Sequence, residues 1–226
     1  DNIITFDAHD PRVQNAIPLS GFETVRPTYQ FIKGLLRTVP DLIIDSDHMM
    51  AISPDEGGTS RAVYLANVLG LDMGMFYKRR DYTQIVDGRN PIVAHEFLGS
   101  SVEGKDVIII DDMISSGDSI IDVATELKRR KAKRIFAAAT FGLFTNGLDK
   151  FDKAYEEGII HGILTTNLIY QTPELLSRPY YINCDLSKYI ALLIDTLNHD
   201  GSISSILSPN ERIQHVVQKY KNGEPI

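Results

Sequence analysis

The stretch VIIIDDMISSGDS, residues 107–119, contains the pattern that decides the fold class. It opens with four β-branched aliphatic residues, Val107–Ile110, as expected for a strand that is covered on both faces. A helical pattern follows over Ile120–Lys131, and a second apolar run, Arg134–Thr140, comes after it. Strand, helix and strand in this order are typical of a βαβ unit, whose two strands are parallel.

The same alternation extends along most of the chain. Predicted strands are Ile3–Phe6 (buried), Met49–Ser53, Met73–Tyr77, Ile159–Leu164 and Tyr180–Cys184. Predicted helices are Phe22–Val39, Arg61–Leu69, Leu148–Glu157, Leu186–Leu197 and Pro209–Lys221. The segment Lys78–Glu96 has no clear period and is predicted as a long basic loop. These patterns predict an α/β fold with a doubly wound parallel sheet and helices on both faces.

Composition excludes several classes of protein. The single cysteine, Cys184, leaves no internal disulfide and no CxxC metal site. Thirty acidic residues against 23 basic ones give a net charge of −7, which argues against a general nucleic-acid binder. No apolar run approaches the roughly 20 residues that cross a bilayer, so a soluble, cytoplasmic protein without a membrane partner is expected. Because the chain opens on Asp1 and enters a strand at once, we expect its natural amino-terminal portion to be absent.

Residues 111–119 have the chemistry of a sugar-phosphate site. The amino terminus of the helix that follows them favours a phosphate, and glycine lets backbone amides approach it closely. The two acidic residues would repel a phosphate but suit sugar hydroxyls or a divalent cation. A helix cap would explain one such residue rather than the whole set. The candidate ligands of a ribose 5-phosphate are Asp111, Asp112, Ser115, Ser116, Gly117, Asp118 and Ser119.

Three further segments follow predicted strands. In residues 52–58, Pro54 sets a turn, and Gly57 and Gly58 expose amides for a pyrophosphate or a metal-bound ribose. Asp55 can hold the metal or the sugar, although a plain turn with a capping Asp remains an alternative. Residues 78–80, Lys-Arg-Arg, place three positive charges at the end of a predicted strand, either for a functional role or simply as a solvated basic segment. Residues 7–9, which follow the first predicted strand, are Asp-Ala-His.

These segments resemble motifs of a known family. Residues 110–119 resemble the ribose-phosphate-binding loop of type I phosphoribosyltransferases and of ribose-phosphate pyrophosphokinases. Residues 53–58 are similar to the Ser-Pro-Asp-x-Gly-Gly stretch of the pyrophosphokinases, and Lys78-x-Arg80 and Asp7-x-His9 resemble two more of their motifs. The agreement weakens after His9, and Phe141 stands where the family has a histidine.

The resemblance implies an enzyme that transfers pyrophosphate from ATP to ribose 5-phosphate, giving phosphoribosyl pyrophosphate and AMP, with Mg²⁺ as cofactor. It implies that Lys78 and Arg80 are catalytic and stabilise the transition state. Ribose 5-phosphate ligands then include Asp55, Gly57 and Gly58, and the metal ligands are Asp7, His9 and Asp55. A phosphoribosyltransferase acting on a nucleobase and a non-catalytic phosphoribosyl-binding regulatory subunit remain alternatives.

The resemblance also implies a domain organisation. The family has two similar α/β domains, and most of the upstream one is expected to be missing here. Residues 1–20 are then a remnant of that ATP-side domain, residues 21–197 form the phosphoribosyltransferase-like domain, and residues 198–226 pack toward the upstream domain. A homo-oligomer is expected, and the chain alone is expected to be inactive.

Overall fold

The computed structural model describes the backbone of residues 2–80 and 92–226 and the side chains of residues 2–77 and 96–226. Its strands are β1 (Asn2–Phe6), β2 (Gly21–Val25), β3 (Met49–Ser53), β4 (Asp72–Arg80), β5 (Ile92–Leu98), β6 (Asp106–Ile114), β7 (Arg134–Gly142), β8 (Gly162–Thr166) and β9 (Tyr181–Cys184). Its helices are α1 (Thr28–Thr38), α2 (Thr59–Leu69), α3 (Asp118–Arg129), α4 (Asp149–Glu156), α5 (Pro173–Leu176), α6 (Ser187–Asn198), α7 (Ser204–Leu207) and α8 (Asn210–Lys221), with a short 3-10 helix at Pro11–Ala16.

The main sheet has the strand order β5-β4-β3-β6-β7-β8-β9. Its neighbours pair in parallel except β4 and β5, which are antiparallel. From β3 the chain proceeds to β4 on one side and later to β6 on the other. The pair β3 and β6 is therefore the point where the winding reverses, and ligands of such sheets bind in the crevice beyond the carboxyl ends of these strands.

The core lies in two layers, one on each face of the sheet. Ala51 and Ile108 pack with helices α1, α2 and α8, whereas Met50 and Ile109 pack with α3 and α4. This alternation follows from the period of two along a strand. Residues Val107–Ile110 are at most 3% exposed. The predicted doubly wound α/β fold is therefore confirmed.

Two predictions about the amino-terminal region are wrong. The segment predicted as one helix, Phe22–Val39, is strand β2 followed by α1. Pro27 separates them because it lacks an N–H and restricts the residue before it to extended conformations. The predicted strand Ile3–Phe6 forms as β1, but it pairs in parallel with β2 in a separate two-stranded sheet. It is not buried as predicted, because Ile3 is 36% exposed.

The segment predicted as a long loop, Lys78–Glu96, is also partly wrong. Strand β4 continues through Arg80, and β5 pairs with it from Ile92 to Leu98. An edge strand has one neighbouring strand and needs no continuous apolar run, so polar His95 and Glu96 obscured its pattern.

The carboxyl-terminal helix α8 packs on α1 and α2 through Ile213, Val216 and Val217. The Tyr220 hydroxyl accepts a hydrogen bond from the Leu42 amide at 2.7 Å and donates to the Val39 carbonyl at 2.8 Å. The boundaries at 20 and 197, and the packing of residues 198–226 toward an upstream domain, stay predictions. Among the described helices, none has the length and apolar composition needed to cross a bilayer.

Candidate active site

The turn after β3 lies against the end of β6. A Cβ on Gly58 would lie 2.9 Å from Ser53 Oγ and 3.4 Å from the Ile110 carbonyl oxygen, so any other residue would force Ser53 to shift. The turn is held by a hydrogen bond from Ser53 Oγ to the Asp55 carbonyl at 2.6 Å and one from the Gly58 amide to Asp55 Oδ1 at 3.2 Å. The predicted residues Asp55 and Gly58 thus stand beside the predicted sugar-phosphate segment.

The two adjacent carboxylates lie within β6 rather than after it. The strand was predicted to end at Ile110, but its pairing with β7 continues from Asp111 to Ile114. Consecutive strand residues point to opposite faces. Asp112 is buried and reaches toward α2, whereas Asp111 is partly exposed. The extension of the strand therefore gives the two acids different surroundings.

A polar network connects Asp112 to the amino-terminal segment. His9 Nδ1 lies 2.6 Å from Asp112 Oδ2, and Arg61 Nη2 lies 3.8 Å from the same oxygen. Arg61 Nε donates to Asp7 Oδ1 at 2.8 Å, and Thr140 Oγ1 donates to Asp7 Oδ2 at 2.7 Å. Each carboxylate oxygen of Asp7 thus has one side-chain donor. The network fixes the position of Asp112 from three separate elements of the chain.

The surroundings push the pKa values of the two acids apart. Burial raises the pKa of Asp111 to about 7, aided by its hydrogen bond with Asp112 and by the negative charge of Asp55. Burial also opposes ionisation of Asp112, but its hydrogen bonds with Asp111 and His9 and the charge of Arg61 bring its pKa below the usual range. The hydrogen bond to Asp112 in turn raises the pKa of His9. Asp112 is therefore the ionised member, and Asp111 is the one that takes up a proton near neutral pH.

The loop after β6 turns sharply into α3. Gly117 has φ 85°, and a Cβ there would lie 2.2 Å from Cζ of Phe151, so both backbone conformation and space require glycine. Ser116 Oγ donates to Asp118 Oδ2 at 2.8 Å, and Lys150 pairs with Asp118. Gly117 makes no side-chain cap to the first turn of α3, where the Ser116 hydroxyl accepts a hydrogen bond from the Asp118 amide at 3.4 Å. This geometry suits a phosphate.

The remaining predicted residues differ in how far the structure describes them. The backbones of Lys78 and Arg80 lie in β4, next to β3, but their side chains lie outside the described residues, so their role stays a prediction. The predicted metal residues Asp7, His9 and Asp55 do not form a three-ligand cluster. Across the side chains of residues 2–77 and 96–226, no group of three or more His, Cys, Asp or Glu is arranged to hold a metal ion.

The sequence interpretation gave no role to Arg61 or Thr140. Arg61 is buried on the face of α2 that also buries Ala62, Leu65 and Ala66. A charged residue four positions before a buried leucine on an amphipathic helix is the signal that could have identified it. For Thr140 the only signal was its place directly before Phe141, in a segment that resembles a motif of the pyrophosphokinases.

A doubly wound sheet with two adjacent carboxylates and a glycine-led helix at its switch point defines an α/β protein with a candidate ligand site at the carboxyl ends of its strands. The model of the phosphoribosyl transferase domain matches residues 31–161, more than half of the chain. The chain belongs to this family.

Curated relatives and a solved structure agree with this assignment. The chain is 29% identical over 215 residues to the ribose-phosphate pyrophosphokinase of Vibrio parahaemolyticus, covering 92% of this chain and 61% of that relative. It is 29% identical over 201 residues to the ribose-phosphate pyrophosphokinase of Mycoplasma pneumoniae, covering 88% and 57%. The chain therefore spans about three fifths of the length of these relatives. The phosphoribosylpyrophosphate synthetase of Mycobacterium smegmatis shares the fold, with a TM-score of 0.71 and 22% identity over 89% of this chain and 60% of that one.

Proposed function

We propose that this chain contributes the ribose 5-phosphate side of a ribose-phosphate pyrophosphokinase. The observation that carries the proposal is the arrangement of Asp111, Asp112 and the Gly117-led helix beside the Ser53–Gly58 turn, at the switch point of the sheet. The names of the curated relatives support the same activity. The substrates are ATP and ribose 5-phosphate, and the products are phosphoribosyl pyrophosphate and AMP.

The site divides into three parts by chemistry. Asp111 and Asp112 accept hydrogen bonds from the ribose hydroxyls. The 5-phosphate binds the backbone and hydroxyl groups of residues 115–119, where the amino terminus of α3 favours an anion. Asp55, Gly57 and Gly58 lie on the side where pyrophosphate is added.

The reaction needs positioning and neutralisation of charge more than covalent chemistry. The anomeric hydroxyl oxygen attacks the β-phosphorus of ATP, and the bond from that phosphorus to the oxygen of the α-phosphate breaks. AMP leaves with that oxygen, and the proton of the anomeric hydroxyl is released to solvent. Lys78 and Arg80 offset the negative charge that grows on the transferring group.

Magnesium fits this site differently from the sequence prediction. Both oxygens of Asp7 already accept hydrogen bonds, and His9 contacts Asp112. Mg²⁺ is usually held by one or two carboxylates together with substrate phosphates. Asp55 and Asp111, whose charges interact, suit that arrangement. Bound there with ATP, the ion would neutralise phosphate oxygens, while Asp7 and His9 hold Asp112 in place.

A specific observation supports a second candidate. If Mg²⁺ requires Asp7 as a ligand, the hydrogen bonds of Asp7 with Arg61 and Thr140 favour a non-catalytic subunit that binds phosphoribosyl compounds without turnover. The phosphoribosyltransferase alternative shares residues 110–119 but gives Lys78 and Arg80 no task. A homo-oligomeric state and a cytoplasmic location remain predictions from the resemblance.

The test uses the full-length protein with Mg²⁺, ATP and ribose 5-phosphate, and it measures AMP. We expect AMP only when both substrates are present, and Lys78→Ala to lower turnover far more than affinity for ribose 5-phosphate. Failure to form AMP would reject the pyrophosphokinase. Binding of phosphoribosyl pyrophosphate without turnover would identify a binding subunit, and pyrophosphate release on adding a nucleobase would identify a transferase.

A further inference from the structure

A cavity of about 510 Å³ lies between α1, β9 and α6, and we call it the edge cavity. It is separate from the candidate active site, because β7 and β8 stand between β9 and β6. At the usual strand spacing this separation is roughly 14 Å. Gly34 brings α1 close to β9, since a Cβ there would lie 3.0 Å from Cys184 Sγ, and the close packing forms the floor of the cavity.

The edge cavity is strongly basic in a chain with a net charge of −7. Its lining includes four cationic side chains, Lys33, Arg37, Lys188 and Arg212. The one carboxylate in the lining, Asp185, accepts hydrogen bonds from Asn167 Nδ2 at 2.7 Å and from the Ser187 amide at 2.8 Å. Asp185 is therefore held by uncharged groups, and it forms no ion pair with the cations among the described residues.

The two arginines have protein partners. Arg37 donates from Nε and Nη2, at 2.9 and 2.7 Å, to a main-chain oxygen of Ile226, the terminal residue of the 226-residue chain. Arg212 donates to the Ile206 carbonyl oxygen at 2.8 Å, and its guanidinium lies 5.4 Å from the ring centroid of Tyr29. These contacts fix the arginines in the wall of the cavity, Arg212 through an uncharged peptide carbonyl and Arg37 through the terminal residue of the chain.

The two lysines have no such partners. Within the part of the chain whose side chains are described, neither Lys33 nor Lys188 forms an ion pair or a hydrogen bond. The Lys33 ammonium lies 5.8 Å from the ring centroid of Tyr29. Burial lowers the pKa of Lys33, and the like charges of Arg37 and Lys188 lower it further. Like charges that face one cavity repel each other, and an anion bound between them relieves that repulsion.

We propose that the edge cavity binds a small polyanion with three or four negative charges, held by Lys33 and Lys188 against a wall formed by Arg37 and Arg212. The volume is within the range of small-molecule sites. Lysine ammonium groups bind phosphate oxygens as mobile point charges, and the fixed guanidinium groups add a positive field. The inference goes beyond the proposed function, because none of its residues belongs to the ribose 5-phosphate site.

Isothermal titration of the 226-residue chain with tripolyphosphate at about 50 mM salt tests the proposal. The variant is Lys33→Gln with Lys188→Gln, and the matched control is Lys133→Gln with Lys221→Gln, which removes the same charge from exposed positions elsewhere. We expect one site, at least tenfold weaker binding in the variant, and less than twofold change in the control. Lys188→Gln alone, at an exposed position, repeats the test if the double variant unfolds.

Three results would overturn the proposal. They are no binding at millimolar tripolyphosphate, equal affinity in the wild type and the variant, or an equal loss of affinity in the variant and the control.

Saturating ribose 5-phosphate is added in a parallel titration. Persistence of the tripolyphosphate site supports the separate cavity, and its loss would assign the probe to residues 111–119. If ribose 5-phosphate itself does not bind, the proposed function fails while the lysine comparison still decides the cavity.

Discussion

Replacing Arg61 by methionine should destabilise the protein strongly and loosen the candidate active site. The side chains of Arg61 and Asp7 are 9% and 8% exposed, and their ion pair spans 2.8 Å. At an effective dielectric constant of about 20, charges at this distance attract by about 6 kcal/mol. The burial of both charges offsets part of this attraction. Removing one partner leaves the other charge buried and unpaired, which costs about 3–5 kcal/mol.

The assay is urea denaturation followed by circular dichroism, which gives the free energy of unfolding. Arg129→Met is the matched control, because Arg129 also pairs with a carboxylate, Glu126, but its side chain is 71% exposed. An exposed pair of this kind contributes about 1 kcal/mol or less. The second variant, Asp7→Asn combined with Arg61→Met, removes both charges and should recover part of the loss.

Ribose 5-phosphate titration of the same proteins adds a functional measurement. Because Arg61 lies 3.8 Å from Asp112 as well, Arg61→Met should weaken ribose 5-phosphate binding, whereas Arg129→Met should leave it unchanged. A loss of stability in Arg61→Met no larger than in Arg129→Met would refute the buried network. If Arg61→Met loses the expected stability but binds ribose 5-phosphate as the wild type does, the network stabilises the fold but does not position the sugar site.

Two more predictions concern the same site. Gly117→Ala should lower the melting temperature and weaken ribose 5-phosphate binding at least tenfold, because the new Cβ meets the Phe151 ring. The control is Gly147→Ala, at φ 77° with no atom within 4 Å, which should lower the free energy of unfolding by only about 1 kcal/mol. Equal effects of the two substitutions would argue against this packing. The raised pKa of His9 means that its contact with Asp112 stabilises the fold below the unfolded-state pKa and is lost as pH rises through the folded-state value. His9→Gln should therefore be less stable than the wild type at pH 5.5, and urea denaturation should show a smaller difference at pH 8. A difference that is the same at both pH values would contradict the pairing.

Much of the fold was predictable from the sequence because it depends on local periodicity. The strand Met49–Ser53 was predicted with its observed bounds, and α3 and β7 within a few residues. Errors arose where tertiary surroundings decide the conformation. The Phe22–Val39 pattern contains enough apolar residues for a helix, but residues 21–25 find a parallel partner in β1. The edge strand β5 shows little apolar alternation, because one neighbour is enough to pair it.

The candidate site divides in the same way. Residues 107–119 by themselves predict a sugar-phosphate segment, because the strand, the two acids and the glycine-led helix are neighbours along the chain. The contact of Arg61 with Asp7 joins positions 54 apart, and that of His9 with Asp112 joins positions 103 apart. No local pattern specifies such contacts, because they depend on which strands become neighbours and on how deeply the charges are buried. The sequence thus determined the class of fold and predicted the kind of ligand, and only the tertiary structure decided which residues surround each of the two acids and so push their pKa values apart.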